Sequence, residues 1–188
     1  VRLFIAVNVD PSLRPPLVEV QGMFKAIRAP VSWVKPENLH FTLKFLGETS
    51  EARVPALREA LRRSLIGMRS FPVSLAGAGT FPPKGRPRII WVGVEQGADE
   101  MERLRQRIDD ALFPLGFSRE SRPFRPHLTL GRVKSGGRLD PLLDGLRSAA
   151  VGQVGQMRVE RIDLMHSQLQ PAGAIYTAVE GVPLEEGI

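Results

Sequence analysis

Cysteine is absent from the chain, which excludes disulfides, thiolate metal sites and cysteine nucleophiles. Long hydrophobic runs are also missing: the longest, Leu3 to Val7 and Ile89 to Val94, fall far short of the roughly 20 apolar residues that span a bilayer. The N-terminal end does not read as a signal peptide, so a cytoplasmic protein without membrane contact is expected. Acid is in deficit, with 20 Asp and Glu against 26 Lys and Arg, giving a net charge of +6. Histidine is scarcer still, with three residues, and threonine occurs only at positions 42, 49, 80, 129 and 177.

Against that scarcity one repetition stands out. His40-Phe41-Thr42-Leu43 and His127-Leu128-Thr129-Leu130 place two of the three histidines and two of the five threonines in one four-residue frame. Side chains on a strand alternate between faces, so His40, Thr42 and Lys44 are expected on one face and Phe41, Leu43 and Phe45 on the other. His127 and Thr129 likewise oppose Leu128 and Leu130. Each frame reads as a half-buried strand whose front carries an imidazole and a hydroxyl about 7 Å apart along the chain. If the two strands face each other, two imidazoles and two hydroxyls line one cleft.

Those four groups suit in-line displacement at phosphorus. The reaction needs a base for the attacking oxygen, an acid for the leaving oxygen, and donors for the non-bridging oxygens. Histidine, with an ordinary pKa near 6.5, can be either acid or base around neutrality. The threonine hydroxyls can be the donors. Two histidines from distant strands without a carboxylate triad make a poor metal ligand set, so neither metal nor other cofactor is expected.

At 188 residues the chain has room for one domain or two small lobes sharing a core. Leu3 to Val9 reads as a strand. Leu17, Val20, Phe24 and Ile27 have helical spacing, with Pro15 and Pro16 tolerable only in the first turn. Val31 to Val34, the His40 segment up to Gly47, Phe71 to Ala76 and Ile89 to Val94 read as strands. Val54, Leu57, Leu61 and Leu65 mark a second helix, and Gly77 to Pro87 a glycine- and proline-rich loop. Met101, Leu104, Ile108 and Leu112 mark a third helix, ended near Gly116. The His127 strand, a short helical piece at Leu139, Leu142, Leu143 and Leu146, and strands over Met157 to Gln168 and Ala174 to Val179 complete the pattern. It implies an α+β fold: a bilobal internal duplication, two antiparallel sheets facing a central cleft, with helices on the outside. No disordered linker divides the lobes, so residues 1–188 are expected to form a single bilobal domain, each lobe carrying one His-x-Thr-Leu motif.

The paired motifs resemble those of the 2H phosphoesterase superfamily, and their context resembles its RNA 2′,3′-cyclic phosphodiesterase branch, also called 2′-5′ RNA ligase. Further matching segments are Leu3-Phe4-Ile5-Ala6-Val7, Asn38-Leu39 before and Lys44-Phe45-Leu46-Gly47 after the first motif, Gly79-Thr80-Phe81-Pro82, Pro126 before and Gly131-Arg132 after the second, Ser167-Gln168-Leu169 and Tyr176. The resemblance implies metal-independent opening of a terminal 2′,3′-cyclic phosphate to a 2′-phosphomonoester, in a basic cleft that takes RNA or an oligonucleotide. By family role His40 is the proton donor and His127 the proton acceptor, with Thr42, Thr129 and Arg132 on the phosphate. Strict alternation would put Arg132 on the face opposite His127, so the assignment requires that Gly131 allow a bulge or that the strand end there.

Other residues have plainer readings. His166 lacks a following threonine and is read as structural or at the cleft edge. Glu37 and Glu48 solvate the surface. Arg119, Arg122, Arg125, Arg132 and Lys134 around the second motif, like Lys84, Arg86 and Arg88, either guide a sugar-phosphate backbone or form an ordinary solvated face. Gly77, Gly79 and Gly85 do not form a nucleotide-binding fingerprint, since no helix opens after them. Phe81 is either buried or a base-stacking ring. Competing functions are a ligase joining a 2′,3′-cyclic phosphate to a 5′-hydroxyl and a non-catalytic RNA-binding module. A monomer is the default.

Overall fold

The computed structural model describes residues 1–148 and 151–187. In chain order these form β1 (Arg2–Asn8), α1 (Arg14–Lys25), β2 (Val31–Trp33), β3 (His40–Glu48), α2 (Val54–Ser64), β4 (Phe71–Phe81) and β5 (Ile89–Val94). They continue with α3 (Ala98–Leu112), β6 (His127–Val133), α4 (Asp140–Ser148), β7 (Gln153–Val159), β8 (Arg161–Gln170) and β9 (Gly173–Pro183). Two antiparallel sheets result, one in the order β3-β1-β8-β9 and one in the order β2-β6-β5-β4-β7.

The apolar periodicities explain the layers. In α3 Met101, Leu104, Ile108 and Leu112 recur on one face and are fully buried, as are Leu57 and Leu61 of α2, and these two helices pack on each other and on the four-stranded sheet. Helix α1 starts with its prolines in the first turn, where their missing N–H groups cost no helical bond, and buries Leu17, Val20 and Phe24 on the side of the five-stranded sheet. One continuous core joins the helices to the outer faces of both sheets. On the inner face of the first sheet lies a separate small cluster of Phe4, Ala6 and Met165, packed by Tyr176. Strand β1 is therefore apolar on both sides, which is why Leu3 to Val7 reads as an unbroken hydrophobic run.

The expected α+β architecture, sheets facing a cleft and helices outside, is present. Sheet membership, however, does not follow the midpoint of the chain. Strand β2 leaves the first portion to flank β6, while β8 returns from the C-terminal portion to flank β1, with β9 on its outer side. Two boundaries also differ from the sequence reading. Met157 to Gln168 is not one strand: it breaks at Glu160, and β7 pairs with β4 while β8 pairs with β1. The glycine-rich stretch after Ala76 is not yet loop, because β4 continues to Phe81 across a register shift between Ala76 and Ala78. Gly79 sits under the Trp91 ring, and a Cβ there would come within 2.4 Å of it. The glycine makes a seat for an indole beside the cleft rather than a turn.

Candidate active site

The two motif strands come together where the sheets meet, β3 at the edge of one sheet and β6 inside the other. Between them opens a cleft of about 480 Å³ whose walls include His40, Thr42, His127, Thr129 and Arg132. All five residues expected at a phosphate site thus border one cavity.

Each imidazole is held in the same way. His40 Nδ1 lies 2.6 Å from the carbonyl oxygen of Asn38, and His127 Nδ1 lies 2.8 Å from that of Arg125. A carbonyl oxygen only accepts, so Nδ1 carries the proton in both rings and Nε2 is left to exchange one. In both cases the carbonyl belongs to the residue two before the histidine. Asn38 is itself fixed, its side chain donating to Ala174 O at 3.0 Å. Aromatic rings complete the mounting: Phe4 and Tyr176 lie 5.1 and 5.3 Å from the His40 ring, and Phe81 lies 5.0 Å from the His127 ring. Phe81 therefore supports an imidazole edge to face and is partly buried.

Beyond the mounting the two sites differ. His40 Nε2 lies 2.9 Å from Thr42 Oγ1, so the ring bends over the strand and closes the separation expected from backbone rise alone. Burial pushes the His40 pKa below its ordinary value; the bond to Asn38 O opposes this, and the nearby Arg132 guanidinium lowers it further. His127 Nε2 has no protein hydrogen-bond partner among the described residues.

The position of Arg132 depends on a bulge. Trp91 of β5 faces Thr129 and Ile90 faces Gly131, so Leu130 is the extra residue. This returns Arg132 to the face of His127 and Thr129, as the assignment requires. The displaced Leu130 carbonyl is satisfied by the Val34 N–H at 2.9 Å and by Nε2 of buried Gln21 at 3.0 Å. Gly131 allows the close approach of β2, since a Cβ would meet Val31 and Trp33 at 2.7 and 2.9 Å.

Strand β3 carries a bulge in the same place, which the alternation rule misses. Ala6 faces Thr42 and Ile5 faces Lys44, so Leu43 is the extra residue. Phe45, expected on the apolar face, instead turns into the cleft and is 72% exposed, while Leu46 takes the core side. Lys44, expected beside His40 and Thr42, reaches Asp109 of α3 and the Ser118 carbonyl at 2.7 Å. Asp109 in turn accepts from Arg105 at 2.9 Å and from the Glu120 N–H at 3.0 Å. This buried network pins the Phe117 to Glu120 segment, which forms one wall of the cleft. Sequence reasoning misses Gln21 and Asp109 altogether, and with them the supporting roles of Asn38 and Lys44. The sequence signal for the β6 bulge is Gly131, which follows it; the β3 bulge is followed by Lys44 and has no such sign.

The remaining expectations sort themselves. His166 pairs with Leu3 on β1, one residue out of phase with the cleft-facing Phe4 and Met165, and so lies on the other face of its sheet. Glu37 and Glu48 are exposed. Of the basic cluster only Arg119 and Arg132 border the cleft, and Arg119 is engaged by Asp110 at 2.9 Å and by the Phe113 ring. Arg86 braces the Lys134 and Gly136 carbonyls. Among the described residues no three His, Asp or Glu converge as a metal ligand set, and no helix is long and apolar enough to cross a membrane.

Comparison with known proteins agrees with this geometry. Residues 15–171 match the family model of the 2′-5′ RNA ligase superfamily. Two proteins named RNA 2′,3′-cyclic phosphodiesterase are similar over nearly the whole chain. The one from Methanothermobacter thermautotrophicus is 39% identical, covering 96% of this chain and 97% of its own, and the one from Archaeoglobus fulgidus is 40% identical, covering 93% and 96%. The crystal structure of TT0787 of Thermus thermophilus superposes with a TM-score of 0.83 at 30% identity over 99% of both chains. With the matched segment spanning both motifs and the whole fold shared, the chain belongs to the 2′-5′ RNA ligase superfamily, whose 2H phosphoesterase signature its two histidine motifs carry.

Proposed function

We propose that this protein hydrolyses RNA 2′,3′-cyclic phosphate ends to 2′-phosphomonoesters, with His40 and His127 as the proton-transfer pair. The observation that carries the reading is the duplicated mounting: two imidazoles, each with Nδ1 on a carbonyl two residues upstream, border one cleft with two threonine hydroxyls and an arginine. The names of the relatives support the same activity.

In this mechanism neutral His127 takes a proton from water as the water oxygen attacks phosphorus. Protonated His40 delivers its Nε2 proton to the 3′-oxygen as the P–O3′ bond breaks, leaving the phosphate on the 2′-oxygen. Thr42, Thr129 and Arg132 donate to the non-bridging oxygens, where charge builds during the displacement. The arriving anion favours the charged form of His40, offsetting the burial and the Arg132 charge that hold its pKa down in the free protein. Every proton moved belongs to water or to a side chain of this chain.

The test is an oligonucleotide with a 2′,3′-cyclic phosphate end, incubated with the protein in chelator, its phosphorus products resolved by ³¹P NMR. A 2′-phosphomonoester is the expected product. A 2′-5′ joined product in the presence of a 5′-hydroxyl acceptor selects the ligase, and retention of unchanged RNA selects a binding module; either outcome overturns the hydrolase.

A further inference from the structure

Arg132 lines a second cavity as well as the cleft. This space of about 280 Å³ lies between β2, with the residues that follow it, and the end of the β8–β9 hairpin. Asn38 and Tyr176, which mount His40, stand in its wall, so it adjoins the active site through His40 as well as through Arg132. Lys35 and Arg132 supply two cations, and no carboxylate lines the cavity. Neither side chain makes a hydrogen bond or ion pair among the described residues. The cavity of about 330 Å³ at Asp163 differs in kind, because its three arginines are balanced by three carboxylates. Two uncompensated cations next to a phosphate site favour a further anion. The hairpin adds an apolar surface: it runs on past its last pairing with β1, at Ser167, and leaves Leu169 in the cavity wall 73% exposed.

We propose that this second cavity binds the phosphodiester joining the terminal nucleotide of the substrate to its 5′ neighbour, with Lys35 on the phosphate and Leu169 against the neighbouring nucleoside. The substrate it favours is an oligonucleotide rather than a mononucleotide. This rests on the hydrolase reading. Covalent connectivity supplies the direction: His40 protonates O3′, and C3′ is bonded to C4′, which carries C5′ and the 5′-oxygen, whereas the base hangs from C1′ on the side of C2′. The chain therefore leaves on the side of His40, where Asn38 and Tyr176 are shared with the second cavity. The reach also fits. Ser32 pairs with Arg132, and Lys35 follows three residues on, about 10 Å of extended chain. Two long, flexible side chains at that separation can take neighbouring phosphates of one strand. A cationic groove that tracks the backbone, beside an apolar surface for the nucleoside, is how single strands are held without reading their sequence.

The experiment compares the protein with Lys35→Ala and Lys35→Arg variants on adenosine 2′,3′-cyclic phosphate and on its 5′-phosphorylated form, which adds only the anion. The unaltered protein is expected to have the lower KM for the 5′-phosphorylated substrate. Lys35→Ala raises that KM about 5-fold, the upper end for one solvent-exposed ion contact. It leaves the KM of the plain nucleotide and both kcat values in place, and Lys35→Arg keeps the preference. On a decanucleotide with a cyclic phosphate end, Lys35→Ala lowers the slope of log KM against log salt concentration by about 0.7, the share of one phosphate on a single strand. Leu169→Ser leaves both mononucleotides unaffected and raises the KM of the dinucleotide ending in adenosine 2′,3′-cyclic phosphate about 5-fold, as expected for a leucine roughly half covered. An equal change for plain and 5′-phosphorylated nucleotides, or none for either, overturns the proposal, and a dinucleotide KM untouched by Leu169→Ser overturns the placement of the neighbouring nucleoside. Calorimetric binding of adenosine 2′-phosphate and adenosine 2′,5′-bisphosphate makes the same comparison without turnover. If the unaltered protein hydrolyses no substrate, the hydrolase reading fails, while the effect of Lys35→Ala on the difference in Kd between these two ligands still decides the role of the second cavity.

Discussion

Strands β3 and β6 carry one frame in two settings. Both start with a histidine mounted on a carbonyl two residues back, both bulge at the motif Leu, and both return their sixth residue to the cleft. They differ in their flanks. Strand β3 is the edge of its sheet, so its fifth residue can be Lys44, a long side chain that crosses to Asp109 and anchors the cleft wall. Strand β6 has β2 beside it, and its fifth residue must be Gly131 because Val31 and Trp33 occupy the space. A duplicated motif thus fixes how each imidazole is mounted, while its position in the sheet fixes which neighbours finish each side of the cleft.

The greatest loss of activity is expected where the two strands are alike. His40→Ala and His127→Ala should each lower kcat/KM about 10²- to 10⁴-fold, the range for loss of a general acid or base. The double variant should fall well short of the product of the two losses, because the groups act on one displacement. Near-normal turnover by either single variant would undo the equivalence.

What separates the strands is tested next by Asp109→Ala. It leaves Lys44 and Arg105 without their shared carboxylate in a site where Lys44, Arg105 and Asp109 side chains are 9%, 7% and 6% exposed. Breaking a buried pair from one side costs about 3–5 kcal/mol, to be read as a fall in Tm and in the chemical-denaturation midpoint. Gly131→Ala is the counterpart on the other strand. Overpacking against Val31 and Trp33 should cost about 1–3 kcal/mol and, by shifting the bulge that aims Arg132, raise KM. A Gly131→Ala protein of unchanged stability and KM would mean that β2 does not constrain the frame.

A subtler effect distinguishes the roles of the two histidines. Arg132 holds the His40 pKa down, so Arg132→Met should raise it. With His40 as proton donor, the limb of the kcat/KM profile that moves to higher pH is the alkaline one, since activity is lost as His40 deprotonates. Burial is the larger cause of the lowered pKa, so Tyr176→Ser, which uncovers the ring, should move that limb further in the same direction. If the acidic limb moves instead, His40 is the acceptor and the two roles exchange.

Much of the fold is legible in the sequence because its helices and strands bury the periodic residues, as in α3, and because β1 is apolar on both faces. The imidazoles and hydroxyls that border the cleft are legible because scarce residues recur in a fixed frame. The break at Glu160 is not, since consecutive strands of similar hydrophobicity give no local sign that they belong to different sheets. Nor is the strand character of Gly77 to Phe81, where Gly79 answers to a tryptophan on a neighbouring strand and Gly77 takes a positive φ at the register shift.

The order of residues alone sets which side chains are available to the cleft: imidazole, hydroxyl and guanidinium at set spacings, with period two assigning the faces as far as each motif leucine. Past that leucine the faces were decided by the tertiary structure. A bulge exists by virtue of the partner strand it fails to match, and Ile5 and Ala6 for one motif, Ile90 and Trp91 for the other, lie tens of residues away. The cleft positions of Phe45 and Arg132 depend on that pairing, because one inserted residue reverses every face after it.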